Sequence, residues 1–267
     1  MEVQPLRLPS PQAAAELLRA ALRGASPKDT RVVVAGGDGT INALLPALTN
    51  SPVPLALLPL GTFNVLARDL GVPLRWEEAV AVAARGRPQP VDVGVANGRL
   101  FADMVGIGYD AAIVHRIVPG GGKSRLRYPE YIARAARLLA GYRPSRLHIT
   151  ADGGAFEADA WMAVIANTTH YARHWRVAPY AVADDGLLDL CLFQTRSALH
   201  TLRQVLAILA NRHARVPGVL HLRARKFRVE CEAPLPVQLD GDAAGWTPVA
   251  VELRPKALHV MRPAGAS

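Results

Sequence analysis

Thiols are nearly absent from this chain. Cys191 and Cys231 are the only two cysteines in 267 residues. Neither their number nor their spacing suits a disulfide framework or a thiolate zinc site, which excludes a small stapled scaffold and fits a reducing cytoplasm. Acids are short as well, 22 against 31 Lys plus Arg, for a net charge of +9. Half of the residues are hydrophobic, so the chain has the apolar side chains that a disordered one lacks. Met1–Ser10 carries two prolines and no long apolar stretch, the opposite of a signal peptide. Ile41–Ala67 is long and free of charge, enough in length to span a bilayer. Yet Pro46, Pro52, Pro54 and Pro59 interrupt it, and a helix in hydrocarbon would be left with unpaired backbone groups. The segment is expected to be helix, turn, buried strand and loop in a soluble core. No internal repeat or low-complexity tract is present.

What is present alternates at first. Pro11–Arg23 has helical spacing of apolar residues, with Ser10 as a candidate N-cap. Arg31–Ala35 and Val53–Leu58 read as buried strands, Thr40–Leu48 and Gly61–Leu70 as helical, and Trp76–Arg85 as an amphipathic helix. Beyond Pro90 short apolar runs follow one another, the last two being Val249–Leu253 and Leu258–Met261, with many separated by turn signals such as Asn97-Gly98, Asp152-Gly153 and Asp240-Gly241. Helical insertions are predicted at about Pro129–Leu139 and Ala198–Asn211, the latter with Leu199, Leu202, Val205, Leu206 and Leu209 as core packing. The expected class is α/β. A Rossmann-like nucleotide-binding domain covers residues 1–90, and a mostly antiparallel, β-sandwich-like domain covers 91–267.

The chemistry concentrates at two corners. In Val32–Thr40 (VVVAGGDGT) a strand runs into glycines and then a helix. Such a turn lets backbone N–H groups approach an anion, and the helix start adds partial positive charge. Asp38 beside phosphates implies a divalent metal or a substrate hydroxyl between them. The Lys-Ser/Thr ending of a Walker loop is missing. GGDG alone also fits an ordinary glycine-rich turn. Thr40 and a second corner, Leu58–Asn64 (LPLGTFN), weigh against that, because loops after adjacent parallel strands meet at one ligand site.

GGDGT followed by PLGTFN resembles the diacylglycerol-kinase-type catalytic domain, the family of bacterial lipid kinases and of sphingosine and ceramide kinases. Val91–Gly94 (VDVG), Phe101–Asp110 (FADMVGIGYD), Ala178-Pro179, Asp184–Leu190 (DDGLLDL) and Leu239–Asp242 (LDGD) match its later motifs in order. The resemblance implies transfer of the γ-phosphate of ATP to a lipid hydroxyl, diacylglycerol-like at first guess, with Mg²⁺. By position, Gly36, Gly37, Asp38, Gly39, Thr40, Ile41, Asn42, Gly61 and Thr62 hold the nucleotide. Asp242 accepts the hydroxyl proton, Asp240 orients metal or base, and Asp38 belongs with them. Val182 and Leu187 through carbonyls and Asp185 through its carboxylate form a magnesium site, and Asp110 faces the lipid head group. Each motif alone has a plainer reading: a β-turn for 240–242, a hairpin turn at Asp185-Gly186, an N-cap for Asp110.

The chain departs from the family in three places. It begins after the usual first strand and its Asn-Pro…Gly segment, with Arg7 or Leu8 near the place of the family's Thr. Asp242 stands for the usual Glu, shorter by about one C–C bond, and a shift on the order of 1 Å can cost ~100-fold in rate. Ala172-Arg173-His174 replaces a glycine pair before Ala178-Pro179. The missing first segment and Asp242 leave open a catalytically weak lipid-binding protein, and the Ala172–His174 replacement bears on the shape of the substrate cleft. An NAD kinase-like or phosphofructokinase-like enzyme shares the GGDG turn but not PLGTFN. Eight basic residues between Arg116 and Arg146 share their stretch with only Glu130, and Cys191–Val229 has no acid at all. These stretches, with Gly120–Gly122 before Lys123 as a loop, are expected to meet an anionic membrane peripherally from the cytoplasm. No nucleic-acid motif accompanies the charge. His170 and His174 have no further ligand at useful spacing, so no metal role is expected. Homodimerisation is left open.

Overall fold

Ser10 begins the first helix as expected: its extended backbone breaks the helix and its Oγ accepts from the Ala13 N–H at 3.3 Å. The structure, a computed structural model, describes residues 3–6, 10–117, 128–171, 175–195 and 197–264. The helices are α1 (Pro11–Ala21), α2 (Asp38–Leu48), α3 (Val65–Asp69), α4 (Trp76–Arg85), α5 (Tyr109–Ile117), α6 (Tyr128–Gly141) and α7 (Ala198–Leu209). The strands are β1 (Val32–Gly36), β2 (Leu55–Pro59), β3 (Arg87–Ala96), β4 (Arg99–Phe101), β5 (Met104–Gly108), β6 (Ser145–Ala151), β7 (Gly154–Ala166), β8 (Leu188–Gln194), β9 (Val219–Ala224), β10 (Lys226–Cys231), β11 (Pro236–Leu239), β12 (Asp242–Trp246) and β13 (Val249–Arg262).

Two compact units divide the chain. The first holds Met1–Val93, Ala183–Asp185 and Arg254–Ser267; the second holds Gly94–Val182 and Gly186–Leu253. The sequence boundary at about 90 therefore places the end of the chain differently from the structure. The apolar run at Leu258–Met261 is buried and belongs to the first unit, where Val260 pairs with Leu55 of β2. It is also continuous with the Val249–Leu253 run, which the sequence separates from it. The join at Lys256 has φ +53, and its N–H donates to buried Asp92 Oδ1 at 2.6 Å.

In the first unit β1 and β2 pair in parallel, Val34 with Leu57 and Gly36 with Pro59. Ile41, Leu44, Leu45 and Leu48 of α2 are buried, as is nearly all of β2. The uncharged segment is thus core of an α/β layer. Among the described residues no helix is long and apolar enough to cross a membrane.

In the second unit β7 is the longest antiparallel spine. It pairs with β6 through its first half, with β5 through its second, and with β8 on its other side. β5 continues to β11 and β12, β6 to β10, and β8 to β9. Phe101, Ile107, Ile149, Ile165, Leu190 and Val229 belong to one buried cluster; Tyr109, Trp161 and Phe193 belong to a second.

α7 corrects the sequence reading. Val205 and Ile208 pack on the second cluster, and buried Gln204 fastens the helix. Its Oε1 accepts from Trp161 Nε1 at 2.6 Å and its Nε2 donates to the Gln194 carbonyl at 2.7 Å. Leu199, Leu202, Leu206 and Leu209 instead face outward. A polar Gln with a buried partner sets the helix rotation, and a periodicity count does not see it.

Two histidines are expected to weaken this unit in acid. His213 is buried, with Nε2 donating to the Val177 carbonyl at 2.8 Å. Burial pushes its pKa below 6.5, and burial and then the His213 charge do the same to His221. The unfolded chain takes up these protons near about pH 6.5 while the folded rings resist. Their contribution is therefore present above that pH and is lost as pH falls toward the folded values. The fall in Tm between about pH 7 and pH 5 should be smaller in His213→Gln/His221→Gln than in the unmodified protein. Equal falls would place the acid lability in other groups.

Candidate functional site

The first unit carries the glycine corners. β1 ends at Gly36, Gly37 caps α2, and Asp38 is its first residue. Across from it, the loop after β2 runs from Leu60 to Asn64, and α3 begins at Val65. The two corners touch main chain to main chain. A Cβ on Gly37 would lie 2.8 Å from Gly61 Cα, and one on Gly61 would lie closer still to Gly37 Cα. Leu60 N–H donates to the Gly36 carbonyl at 3.0 Å. Asn64, in the left-handed region at φ 50, closes the second corner. Its Oδ1 accepts from Gly61 N–H at 2.9 Å, and its Nδ2 donates to the carbonyls of Pro59 at 3.2 Å and Gly61 at 3.0 Å.

Asp38 points its carboxylate into this junction. Burial pushes its pKa up, while the N–H groups of Val65, Asp38 itself, Leu66 and Asn64 pull it back. Its Oδ1 is shut off from solvent and closes no hydrogen bond, and the same holds for Asn42 Oδ1 one turn later. A buried oxygen without a partner costs about 1–3 kcal/mol. Two such oxygens on one helix start fit a cation or a hydroxyl donor arriving from a ligand. Gly39 and Thr62 are exposed, Thr40 lies beside Gly36, and Ile41 is buried in the helix core.

In the second unit Asp110 lies in the first turn of α5, 2% exposed. Burial pushes its pKa up, opposed by hydrogen bonds from Tyr171 and Gln238. Tyr171 OH donates to Oδ1, and Gln238 Nε2 donates to Oδ2 at 2.7 Å. A Cβ on Gly106 would collide with that carboxylate, so the glycine makes room for it. Gln238 Oε1 accepts from Gly241 N–H at 2.7 Å. One relay therefore links Asp110 to the β11–β12 turn. The turn itself is Asp240-Gly241, both left-handed at φ 48 and 88, the arrangement of a two-residue hairpin.

Asp240 is occupied by the fold. Oδ2 accepts from Ala102 N–H at 2.8 Å; Oδ1 accepts from Asp103 N–H at 3.0 Å and Met104 N–H at 2.7 Å. That is a clamp on the turn before β5. Asp242 starts β12, half-buried and paired across the hairpin with Leu239. Val182 and Asp185 are exposed and Leu187 is half-buried, around the turn at Gly186. One carboxylate and two carbonyls are hard oxygen donors, the class that magnesium takes. Among the described residues no group of three or more His, Cys, Asp or Glu could hold a metal, and such a set would not include carbonyl ligands. Gly120–Gly122, Lys123, Arg7, Leu8 and Ala172–His174 lie outside the described residues.

The sequence reading missed Tyr171, Gln238 and Gly106. Gly106 lies inside the FADMVGIGYD motif without a role of its own, and Gln238 left a trace as one amide inside the apolar run Pro236–Leu239.

A strand–glycine–helix corner seated on a second glycine loop is the equipment of an α/β phosphotransferase. Residues 1–96 match the family model described as the diacylglycerol kinase catalytic domain, and residues 103–262 the YegS C-terminal NAD kinase beta sandwich-like domain. The chain is 32% identical over 244 residues to a diacylglycerol kinase of Mycobacterium tuberculosis (strain CDC 1551 / Oshkosh), covering 87% of this chain and 76% of that one. It is 27% identical over 236 residues to the diacylglycerol kinase of Bacillus subtilis (strain 168), covering 87% and 77%. A crystal structure of a diacylglycerol kinase from Bacillus anthracis str. Sterne shares the fold, with TM-score 0.73 and 22% identity over 98% of this chain and 85% of that one. The chain belongs to the diacylglycerol kinase catalytic-domain family. It is a lipid kinase.

Proposed function

We propose that this lipid kinase takes ATP with Mg²⁺ and phosphorylates the hydroxyl of a diacylglycerol-like lipid. The observation that carries the reading is the main-chain contact of Gly37 with Gly61, beside the unpartnered Asp38 Oδ1. Gly36, Gly37, Gly39, Thr40, Ile41 and Asn42 with Gly61 and Thr62 make the nucleotide half, in which the positive end of the α2 dipole suits phosphate oxygens. Asp38 answers to the cation that accompanies the phosphates, and Val182, Asp185 and Leu187 to a second, structural magnesium. Magnesium, when bound, offsets charge on the phosphate oxygens. Asp242 accepts the proton of the lipid hydroxyl. That oxygen bonds to the γ-phosphorus as the bond to the β-phosphate oxygen breaks, releasing ADP. Asp240 and Asp110 hold the substrate half in shape, Asp110 nearest the head group. Most of the rate comes from positioning, so the base mainly aligns the nucleophile.

The basic stretches at 116–146 and 191–229 support peripheral contact with an anionic bilayer, and the scarcity of cysteine supports the cytoplasmic side. The deciding assay supplies labelled ATP with Mg²⁺ to diacylglycerol, sphingosine, NAD and fructose 6-phosphate. Label in the diacylglycerol product supports the reading, and label confined to any other acceptor refutes it. Asp38→Asn preserves the shape of the site but removes its charge. Its transfer rate should fall at least about 100-fold while the fold survives. An unchanged rate would remove Asp38 from the mechanism.

A further inference from the structure

We infer that α7 is the element that seats the enzyme on the bilayer. Leu199 is 77% exposed, Leu202 49%, Leu206 57% and Leu209 49%. At about 100° per residue these four fall within an arc of about 80°, and Arg203 lies about 40° beyond Leu199. The helix is apolar on two sides at once. Val205 and Ile208 serve the core, and Gln204, bonded to Trp161 and Gln194, holds the rotation so that the leucines stay outside. The stripe is therefore part of the folded state and not a frayed end.

Charge selects the occupant. α7 contains no acid, Cys191–Val229 contains none, exposed Arg203 lies on the helix beside the stripe, and exposed Arg212 and Arg215 follow the helix in the chain. An outward apolar stripe in an acid-free, arginine-bearing segment matches the interface of an anionic bilayer, where leucines enter the acyl boundary and guanidinium groups meet lipid phosphates. It is a poor match for a second copy, whose own α7 would bring the same charge against it. The inference rests on the peripheral reading above and names the surface responsible for it.

The test is co-sedimentation with vesicles of phosphatidylcholine containing about a quarter phosphatidylglycerol. Leu202→Ser/Leu206→Ser should lower partitioning about 10-fold or more. Tm and activity on short-chain diacylglycerol in detergent micelles should stay as in the unmodified protein. Leu206→Trp gives an independent measurement: its added emission should shift to the blue on vesicles and be quenched by brominated acyl chains. Equal partitioning of the unmodified and double-serine proteins, or no blue shift, would overturn the role of α7 and leave the peripheral reading standing. Failure of the unmodified protein to partition would overturn both. A sedimenting dimer that the serine variant turns into monomer, with vesicle binding unaltered, would assign the stripe to self-association instead.

Discussion

Alanine at Gly61 should cut kcat/KM for phosphate transfer at least about 100-fold. The added methyl would lie on Gly37 Cα and 2.6 Å from Asn64 Oδ1. The first neighbour is main chain and has no rotamer in which to retreat. The two corners must part, and with them go the Leu60 bond to Gly36 and the Asn64 bond to Gly61. A displacement on the order of 1 Å at the proposed phosphate cradle is enough for the loss expected. Gly39→Ala, itself in the nucleotide half, is the control for stability alone. Its Cβ meets nothing within 4 Å, and alanine in the first turn of α2 is the better helix former by up to about 1 kcal/mol. Its Tm should hold or rise. Steady-state kinetics decide the matter, and a Gly61→Ala enzyme within about 3-fold of the original would show that the corner contact does not set the site.

The second large effect separates two neighbouring aspartates. Asp240→Ala leaves the N–H groups of Ala102, Asp103 and Met104 without their acceptor and puts alanine at φ 48. Hydrogen bonds to charged groups are worth about 1.5–3 kcal/mol each, and the bonds at one clamp are not additive, so about 3–5 kcal/mol of stability should go. Asp240→Asn keeps a residue tolerant of the left-handed region and part of the acceptor, and should lose less. Asp242→Ala touches none of those bonds. Its unfolding midpoint should stay close to the original while transfer falls by about 100- to 10,000-fold, the range for a general base. Denaturant titration and single-turnover rates read the two independently. Normal stability in Asp240→Ala would remove the clamp, and a normal rate in Asp242→Ala would remove the base.

Much of the fold was legible because its signals are local. The Ser10 cap, the RVVVA strand, the α4 limits at Trp76 and Arg85, and the glycine corners all follow from residues within one turn of each other. The leucines of α7 misled for the opposite reason. Helical spacing says that one face is apolar but not which way it points, and Gln204 decided that by finding Trp161, 43 residues away, and the Gln194 carbonyl. β13 was split in two because its middle carries Pro255 and Lys256; the bond from Lys256 to Asp92 spans 164 residues.

The candidate site divides along the same line. That glycines and Asp38 stand where a strand meets a helix is written in nine consecutive residues, since a tight turn depends on those residues alone. That Gly37 rests on Gly61, that Asp110 is buried under Tyr171 and Gln238, and that Asp240 serves the backbone of residues 102–104 needed the folded chain. Composition and periodicity settle which segments can form and which faces can be buried. Only packing settles which polar atoms lose water and must find each other, because that pairing depends on distances that chain order does not encode.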